Sequence, residues 1–155
     1  MLIEDDYIYS EYHKCRSTGM PLEFFYKQHH ILTPIKKFWI GYGKWRRTNN
    51  ISLVVPTSLQ YTEFLLKYFN KTESEIIQAK RLLLAIQGIR IGFTELVIAS
   101  AIMMEIGLNI NEVMKVSGLS MDPIYKCRKK ISEITKPEFS DPIKSMEKMF
   151  NSSGS

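Results

Sequence analysis

The stretch of residues 93–106 constrains the fold more than any other part of the sequence. Drawn as a helix, it is apolar around nearly its whole circumference, and Gly107 follows it. A helix without a polar face has to be covered on all sides, so it belongs at the centre of a bundle. Its uncharged part, residues 96–104 between Glu95 and Glu105, is far shorter than the ~20 residues needed to span a bilayer. The sequence therefore predicts a buried helix and no membrane span.

Signals for the starts and ends of helices recur along the whole chain, whereas alternating strand patterns are scarce. Threonine or asparagine precedes several amphipathic stretches, and glycine or proline marks where others end or begin. This pattern predicts an all-α fold. The predicted helices cover residues 5–17, 21–29, 34–47, 57–68, 72–88, 93–106, 109–117 and 120–134, and a short terminal helix begins at Asp141 and Pro142.

Residues 51–56 separate two sets of helices. Their β-branched side chains precede Pro56, which disfavours helical backbone before it, so the segment is predicted to be an extended linker. We expect residues 1–50 to form a partial first helical repeat and residues 57–136 a complete second one. Residues 137–155 are expected to contain the terminal helix and a flexible tail that ends in NSSGS.

Residues 109–134 have the spacing of a helix-turn-helix. Asn109 can cap the first helix, Gly118 can supply a left-handed turn residue, and Ser120 can cap the second helix. The Thr-Lys-Pro run at residues 135–137 is expected to end it. The second helix of such a motif can enter the major groove of DNA. Five apolar side chains should converge on one interior: Ile110, Val113, Leu119, Ile124 and Ile131.

The chain also contains an internal repeat. Residues 12–47 resemble residues 100–134 at an offset of 88 to 89 positions. Both copies place a helix, a turn, a short helix and a basic helix in the same order, which indicates two related helical units. The matching positions are Gly19 with Gly107, and Pro34, Ile35 and Lys37 with Pro123, Ile124 and Lys126.

Three segments of the second unit carry a resemblance to a known family. Residues 96–104, LVIASAIMM, look like an alanine-rich central helix. Residues 110–120, INEVMKVSGLS, look like the turn pattern x-E-V-A-x-x-x-G-V-T. Residues 59–69, LQYTEFLLKYF, are similar to the segment that opens a second repeat, which also follows a proline, as Pro56 does here. The chain thus resembles the cyclin-repeat core of the transcription initiation factor TFIIB and its archaeal counterpart TFB.

The resemblance implies a cyclin-like helical bundle of about one and a half repeats, with the helix-turn-helix near its C-terminus. It also implies a promoter element beside the TATA box as the DNA ligand, and the TATA-binding protein or other transcription proteins as partners. The chain departs from the family pattern at Met114, Asp122 and Pro123. It shows neither a zinc ribbon nor a segment that reaches into the polymerase cleft. We therefore expect a modulator or competitor of initiation.

The positive surplus, 21 Lys and Arg against 16 Asp and Glu, is concentrated in two places. Residues 33–50 carry five cations and no acid, and residues 121–130 carry four cations and one acid. Such clusters are typical of proteins that contact DNA phosphates. The predicted DNA-binding residues are Ser120, Asp122, Tyr125, Lys126, Arg128, Lys129 and Lys130 in the second cluster, and Lys36, Lys37, Lys44, Arg46 and Arg47 in the first.

Each cluster also has a simpler interpretation. The Lys and Arg side chains of either one can form a solvated face that only keeps the protein in solution. Trp39, Tyr42 and Trp45 are more often core or interface aromatics than base-stacking residues, and Gly41 and Gly43 can let another helix approach. On the second basic helix, the side chains expected to point inward are Ile124, Cys127 and Ile131.

No combination of residues favours catalysis. His13, His29 and His30 lie near the N-terminus without the spacing of a metal site or a nucleophile, and Cys15 and Cys127 form no CxxC pair. We therefore expect no enzyme, no catalytic residue, no metal and no cofactor. The two cysteines and the lack of a secretory signal favour a reducing compartment: the cytoplasm or nucleoid, or the nucleus in a eukaryote.

Two other classes of function stay open. A helical adaptor or structural protein with a cyclin-like surface would use the aromatic third helix and the methionines at a protein interface. A small helix-turn-helix repressor would bind operator DNA as a symmetric dimer. A stoichiometric protein partner without DNA affinity would indicate the first class, and a dimer in sedimentation would indicate the second.

Overall fold

The structure is a computed structural model that describes residues 6–139. The exposure of side chains is defined for residues 6–135. Every regular element in this part of the chain is a helix, and it contains no strand, which confirms the all-α prediction. The helices in chain order are α1 (Tyr7–Arg16), α2 (Leu22–Gln28), α3 (Ile35–Thr48), α4 (Ser58–Tyr68), α5 (Glu73–Ile86), α6 (Glu95–Glu105), α7 (Ile110–Ser117) and α8 (Met121–Phe139).

The end of α8 differs from the prediction. The Thr-Lys-Pro run at residues 135–137 does not end the helix, which continues through Pro137 to Phe139. Thr135 is buried, and its hydroxyl donates to the carbonyl of Ile131 at 2.8 Å, one turn earlier in the same helix. The burial of this turn therefore outweighs the helix-ending signal of the Thr-Lys-Pro run. The terminal helix predicted from Asp141 lies outside the described residues.

Prolines precede α2 and α3. The sequence predicts that Pro21 and Pro34 lie in the first helical turn and that Thr33 is the N-cap of α3. Both prolines instead have extended backbone, with ψ of 147° and 140°, so they occupy the N-cap positions themselves. Helical backbone therefore starts one residue later than predicted, and Thr33 is a buried residue that precedes the cap.

Two helices of the second set begin with the capping signals that the sequence predicts. The Thr57 hydroxyl accepts from the Gln60 amide at 3.2 Å, and the Gln60 side chain accepts from the Thr57 amide at 2.9 Å. Thr72 and Glu75 repeat this arrangement at the start of α5, at 3.2 and 3.1 Å. The hydrogen bond from the Thr72 amide holds the pKa of the Glu75 carboxyl below its ordinary value. Each box supplies partners for backbone groups that a helix end leaves unpaired.

Helix α6 lies at the centre of the larger hydrophobic core, as its apolar circumference predicts. It packs against α4, α5, α7 and α8. Within it, Ala99, Ala101, Ile102 and Met103 are fully buried. Burying one side chain of the size of Ile102 contributes about 1.5–3 kcal/mol to the free energy of unfolding. Because several side chains of α6 are buried, this helix contributes much of the stability of the second set. Among the described helices, none is both long and apolar enough to cross a membrane.

A smaller aromatic core joins α1, α2 and α3. Gly41 lies where α1 crosses α3, and a Cβ at this position would overlap the phenol group of Tyr9. The glycine therefore permits the close approach of another helix that the sequence predicts. Gly43 has no comparable contact, since its nearest neighbour is the end of a flexible arginine. The fully buried rings of this core are Tyr12, Phe25, Phe38 and Tyr42.

The linker predicted at residues 51–56 has no regular structure. The two helical sets dock on each other through α2 and α7. Lys27 of α2 donates to the carbonyl of Lys115 of α7 at 2.7 Å. Gly19 has a φ of 84°, and a Cβ there would overlap the backbone of Gln60 on α4. A side chain at position 19 would therefore push the two sets apart.

The sets α1–α3 and α6–α8 share an order of elements. The first helix of each contacts the other two, and the two middle helices, α2 and α7, contact each other. His30 and Gly118 follow these middle helices 88 positions apart, and both have left-handed backbone, with φ of 52° and 73°. Gly19 and Gly107, also 88 positions apart, have φ of 84° and 104°. These features agree with the sequence repeat, whereas the cyclin-like arrangement stays a prediction.

Candidate nucleic-acid interface

The turn between α7 and α8 has the geometry that the sequence predicts. The Asn109 side chain accepts from the amide of Asn111 at 2.8 Å and caps α7. Gly118 has left-handed backbone, and its amide donates to the carbonyl of Met114 at 2.9 Å. Residues 118–120 alone separate the two helices. A turn of about three to four residues that contains glycine is typical of a helix-turn-helix.

One face of α8 anchors it to the rest of the protein. Ile124, Cys127 and Ile131 are fully buried, which confirms that they point inward. On the edge of this face, Nε of Arg128 donates to Oε1 of Glu105 on α6 at 2.6 Å. Arg128 therefore ties α8 to the central helix. Its side chain is 39% exposed, so the Nη groups of the guanidinium can still contact a phosphate.

The opposite face of α8 is exposed. Lys126 Nζ lies 2.9 Å from Asp122 Oδ2, but the two side chains are 69% and 76% exposed. Such a pair is weak and leaves the lysine able to contact another anion. Neither Lys129 nor Lys130 forms an ion pair with any residue that the structure describes. The predicted residues on this face or directly before it are Ser120, Asp122, Tyr125, Lys126, Lys129 and Lys130.

The first basic cluster lies mostly on the outward face of α3. Arg46 is the exception, because its guanidinium carbon lies 5.5 Å from the centroid of the Tyr42 ring. Its Nη1 also donates to the carbonyl of Ile51 at 3.5 Å. Arg46 thus packs against the aromatic core. The four cations of this cluster that face solvent are Lys36, Lys37, Lys44 and Arg47.

The aromatic side chains of α3 pack mainly inward. Tyr42 is fully buried, stacks on Trp45 at 6.0 Å, and is hydrogen-bonded to Nδ1 of His13 at 2.6 Å. Trp39 is 38% exposed, and its ring lies edge-on to Tyr12 at 6.0 Å. These contacts support the core interpretation of the aromatic residues. Of the aromatic residues of α3, Trp39 is the most exposed.

The two basic clusters lie on helices that have different packing partners. Helix α3 packs on α1, whereas α8 packs on α5 and α6. Helix α2 lies against the turn that leads into α8, so that a Cβ at Gly118 would come within 2.6 Å of the Glu23 Cβ. The Glu23 carboxylate pairs with Lys27 at 3.7 Å.

Histidine and cysteine form no metal site in the part of the chain that the structure describes. No group of three or more His, Cys, Asp or Glu side chains is placed to hold an ion there. Burial raises the pKa of the Cys127 thiol to about 11. Burial also raises the pKa of Cys15, and the nearby charge of Glu11 adds to the effect. Both thiols are therefore mainly protonated at neutral pH.

Sequence reasoning missed the buried cation Arg16. Its side chain is on α1, and only 9% of the residue is exposed. Nη1 donates to the Tyr12 hydroxyl at 2.8 Å, Nε donates to the carbonyl of Val54 in the linker, and the guanidinium carbon lies 5.1 Å from the Trp39 ring centroid. Two of these partners come from distant segments, so no local pattern marks the residue.

Comparisons with protein-family models, with curated proteins and with solved structures find no match to the chain. The resemblance to TFIIB and TFB therefore stays a prediction from the residues that carry it. What the protein does has to be inferred from the geometry of α3, α7 and α8.

Proposed function

We propose that the chain is a non-enzymatic DNA-binding protein of the transcription apparatus, and that it reads double-stranded DNA through α8. The division of α8 into two faces carries this proposal. Ile124, Cys127 and Ile131 fix one face in the core, while the opposite face is exposed and carries three lysines. A recognition helix needs this division, because its inner face holds its angle and its outer face enters the major groove.

The exposed residues of α8 fall into two groups by position. In a helix-turn-helix, residues at the start of the second helix reach base edges, and cations further along contact phosphates. Ser120, Asp122 and Tyr125 occupy the first part, where an aspartate can accept from the amino group of cytosine. Lys126 lies between the two parts. The cations further along are Lys129 and Lys130.

The outward face of α3 supplies a second positive surface. Its four exposed cations, with no acid between residues 33 and 50, suit phosphate contacts that do not depend on base sequence. Removing these cations should weaken binding to all duplexes by a similar factor. Such contacts would add affinity, while α8 would supply discrimination between sequences.

The resemblance to TFIIB and TFB extends the proposal to a biological role. It implies a promoter element beside the TATA box as the DNA target, with the TATA-binding protein or other transcription proteins as partners. The role proposed is that of a modulator or competitor of initiation.

A gel-shift series with promoter duplexes tests the DNA-binding proposal. We expect a complex at low salt that dissociates as salt rises, since phosphate contacts release counterions. Lys126→Ala with Lys129→Ala should weaken the complex. The matched control is Lys67→Ala with Lys80→Ala, which removes two exposed cations from α4 and α5 and should leave it unchanged. No complex at low salt, or a wild-type complex with the α8 variant, would contradict the proposal.

A groove on the second set favours a different class of function, a protein adaptor. The groove lies between α4, α5 and α6 and has a volume of about 640 Å³. Three of its lining residues are large exposed aliphatics: Leu59, Leu84 and Ile89. A concave apolar surface of this kind suits side chains of a protein partner. Co-purification of a stoichiometric partner, without DNA affinity, would favour the adaptor.

A further inference from the structure

We propose that the cavity beside Arg16 binds a small monocarboxylate with an apolar body. The cavity has a volume of about 260 Å³ and lies between the two helical sets. Its walls come from α1, α2, α3, the linker, α4 and α6. This site is separate from the outer faces of α3 and α8, so it does not depend on DNA binding.

The charge of Arg16 supplies the first argument. The residue is more than nine-tenths buried, yet its hydrogen bonds go to neutral groups, the Tyr12 hydroxyl and the Val54 carbonyl. Burial raises the pKa of Tyr12 to about 12, so this phenol carries no charge at neutral pH. No carboxylate of the described residues forms an ion pair with Arg16. A buried cation whose direct partners are all neutral retains part of its desolvation penalty, and a bound carboxylate would reduce that penalty.

The walls of the cavity indicate the body of the ligand. Arg16 packs against the Trp39 ring at 5.1 Å, and the remaining lining includes Tyr61, Leu22 and Leu96. These side chains are aromatic or aliphatic, so they favour an apolar group next to the charged one. The volume lies below the ~300–1,000 Å³ of pockets for drug-sized ligands. A single phenyl ring or a branched alkyl chain is the appropriate size.

Glu95 restricts the charge of the ligand. Its carboxylate lines the same cavity, and its Oε2 accepts from the Ser58 amide at 2.7 Å. This negative charge disfavours phosphate and other multiply charged anions, whereas a monocarboxylate can place its single charge at Arg16. The aligned peptide dipoles at the start of α6 add a positive field to the same wall. The N-cap residue Thr94 makes no side-chain cap hydrogen bond there.

The two tryptophans allow a direct test by NMR on the full chain. Trp39 lines the cavity and Trp45 does not, so the indole N–H signal of Trp45 is an internal control. We expect 3-phenylpropionate to shift the Trp39 signal in a saturable manner, with Kd of about 1 mM or lower. Acetate lacks the apolar body and 3-phenylpropanol lacks the charge, so both should bind at least tenfold more weakly.

Two variants locate the binding. Arg16→Met removes the charge and should abolish saturable binding. Val55→Phe changes an exposed linker residue at the cavity and should weaken binding at least tenfold, which keeps the test valid if Arg16→Met does not fold. Arg90→Met removes an exposed cation elsewhere and should have no effect. Equal shifts of both tryptophans without saturation, equal affinity for 3-phenylpropanol, or unchanged Kd in Val55→Phe and Arg16→Met would overturn the proposal.

Discussion

Gly118 meets two structural demands at once. Its φ of 73° lies in the left-handed region, and the Glu23 side chain leaves no space for a Cβ. The first demand could be predicted, because a glycine after an amphipathic stretch is typical of a helix end. The second could not, since Glu23 belongs to a distant helix that reaches the turn only through tertiary packing. The same limit hid Arg16, whose partners include Val54 and Trp39.

Substituting Gly118 with alanine separates these two demands. Gly88→Ala is the matched control, because Gly88 has a φ of 80° and nothing within 4 Å of a built Cβ. Left-handed backbone should cost either variant about 1–2 kcal/mol. Gly118→Ala should lose a further ~1–3 kcal/mol from the clash with Glu23. Urea denaturation measures both, and equal losses would contradict the packing of α2 on the turn.

The buried thiol of Cys127 gives a prediction about pH. Since burial raises its pKa to about 11 from an ordinary value of 9.0, the folded state retains the proton longer than the unfolded state. The Cys127 contribution to stability is therefore complete below pH 9 and is lost as pH rises towards 11. In a Cys15→Ser chain at pH 8, Cys127 should react with a disulfide reagent only after unfolding in guanidinium. Rapid reaction of the native chain would contradict its burial.

Single helices differ in how much of their structure local sequence predicts. The capping box of α5 follows from the Thr-x-x-Glu spacing of Thr72 and Glu75, and the central position of α6 follows from its apolar circumference. The end of α8 does not follow from local sequence, because the helix continues past the Thr-Lys-Pro run at residues 135–137. The buried side chains of α8 could be predicted from its sequence. The ion pair between Arg128 and Glu105 could not, since it joins two helices.

The capping box of α5 should have a measurable effect on stability. Thr72→Ala removes the hydroxyl that accepts from the Glu75 amide and donates to the Glu75 carboxylate, and it should cost about 1 kcal/mol. The hydrogen bond from the backbone amide of residue 72 to Glu75 remains. Thr94→Ala is the control, because Thr94 occupies an N-cap without a side-chain cap hydrogen bond, and it should cost much less. The pKa of Glu75 is lowered, so its contribution exists above its ordinary pKa and is lost as pH falls. Thermal unfolding from pH 7 to pH 3 measures both, and a Thr72→Ala cost that does not shrink at low pH would argue against the box.

The described part of the molecule has two hydrophobic cores that share one interface. The aromatic core of α1–α3 and the aliphatic core around α6 are joined by packing of α2 on α7 and by the approach of Gly19 to α4. The sequence predicts two units and a linker between them. It does not predict how they dock, because Lys27 meets Lys115, and Gly19 meets Gln60, only in the folded chain.

This docking predicts a single unfolding transition. Both tryptophans lie on α3, so their fluorescence reports on the first set, whereas far-UV circular dichroism reports on all helices. The two transitions should coincide in urea for the wild type. Gly19→Ala should move the fluorescence transition to lower urea than the dichroism transition. Gly107→Ala, with a φ of 104° and no neighbour within 4 Å, should shift both together. Separate transitions in the wild type would contradict the coupling.

DNA binding through α8 is the central claim, and fluorescence anisotropy of a labelled promoter duplex over a range of salt concentrations tests it most directly. We predict that the logarithm of the association constant falls linearly with the logarithm of salt concentration. Each phosphate contact removed should reduce the steepness by about 0.9, so Lys129→Ala with Lys130→Ala should reduce it by ~1.8. Lys36→Ala with Lys37→Ala should weaken binding to every duplex without changing the preference among sequences. An α8 variant with wild-type affinity and wild-type slope would contradict the claim.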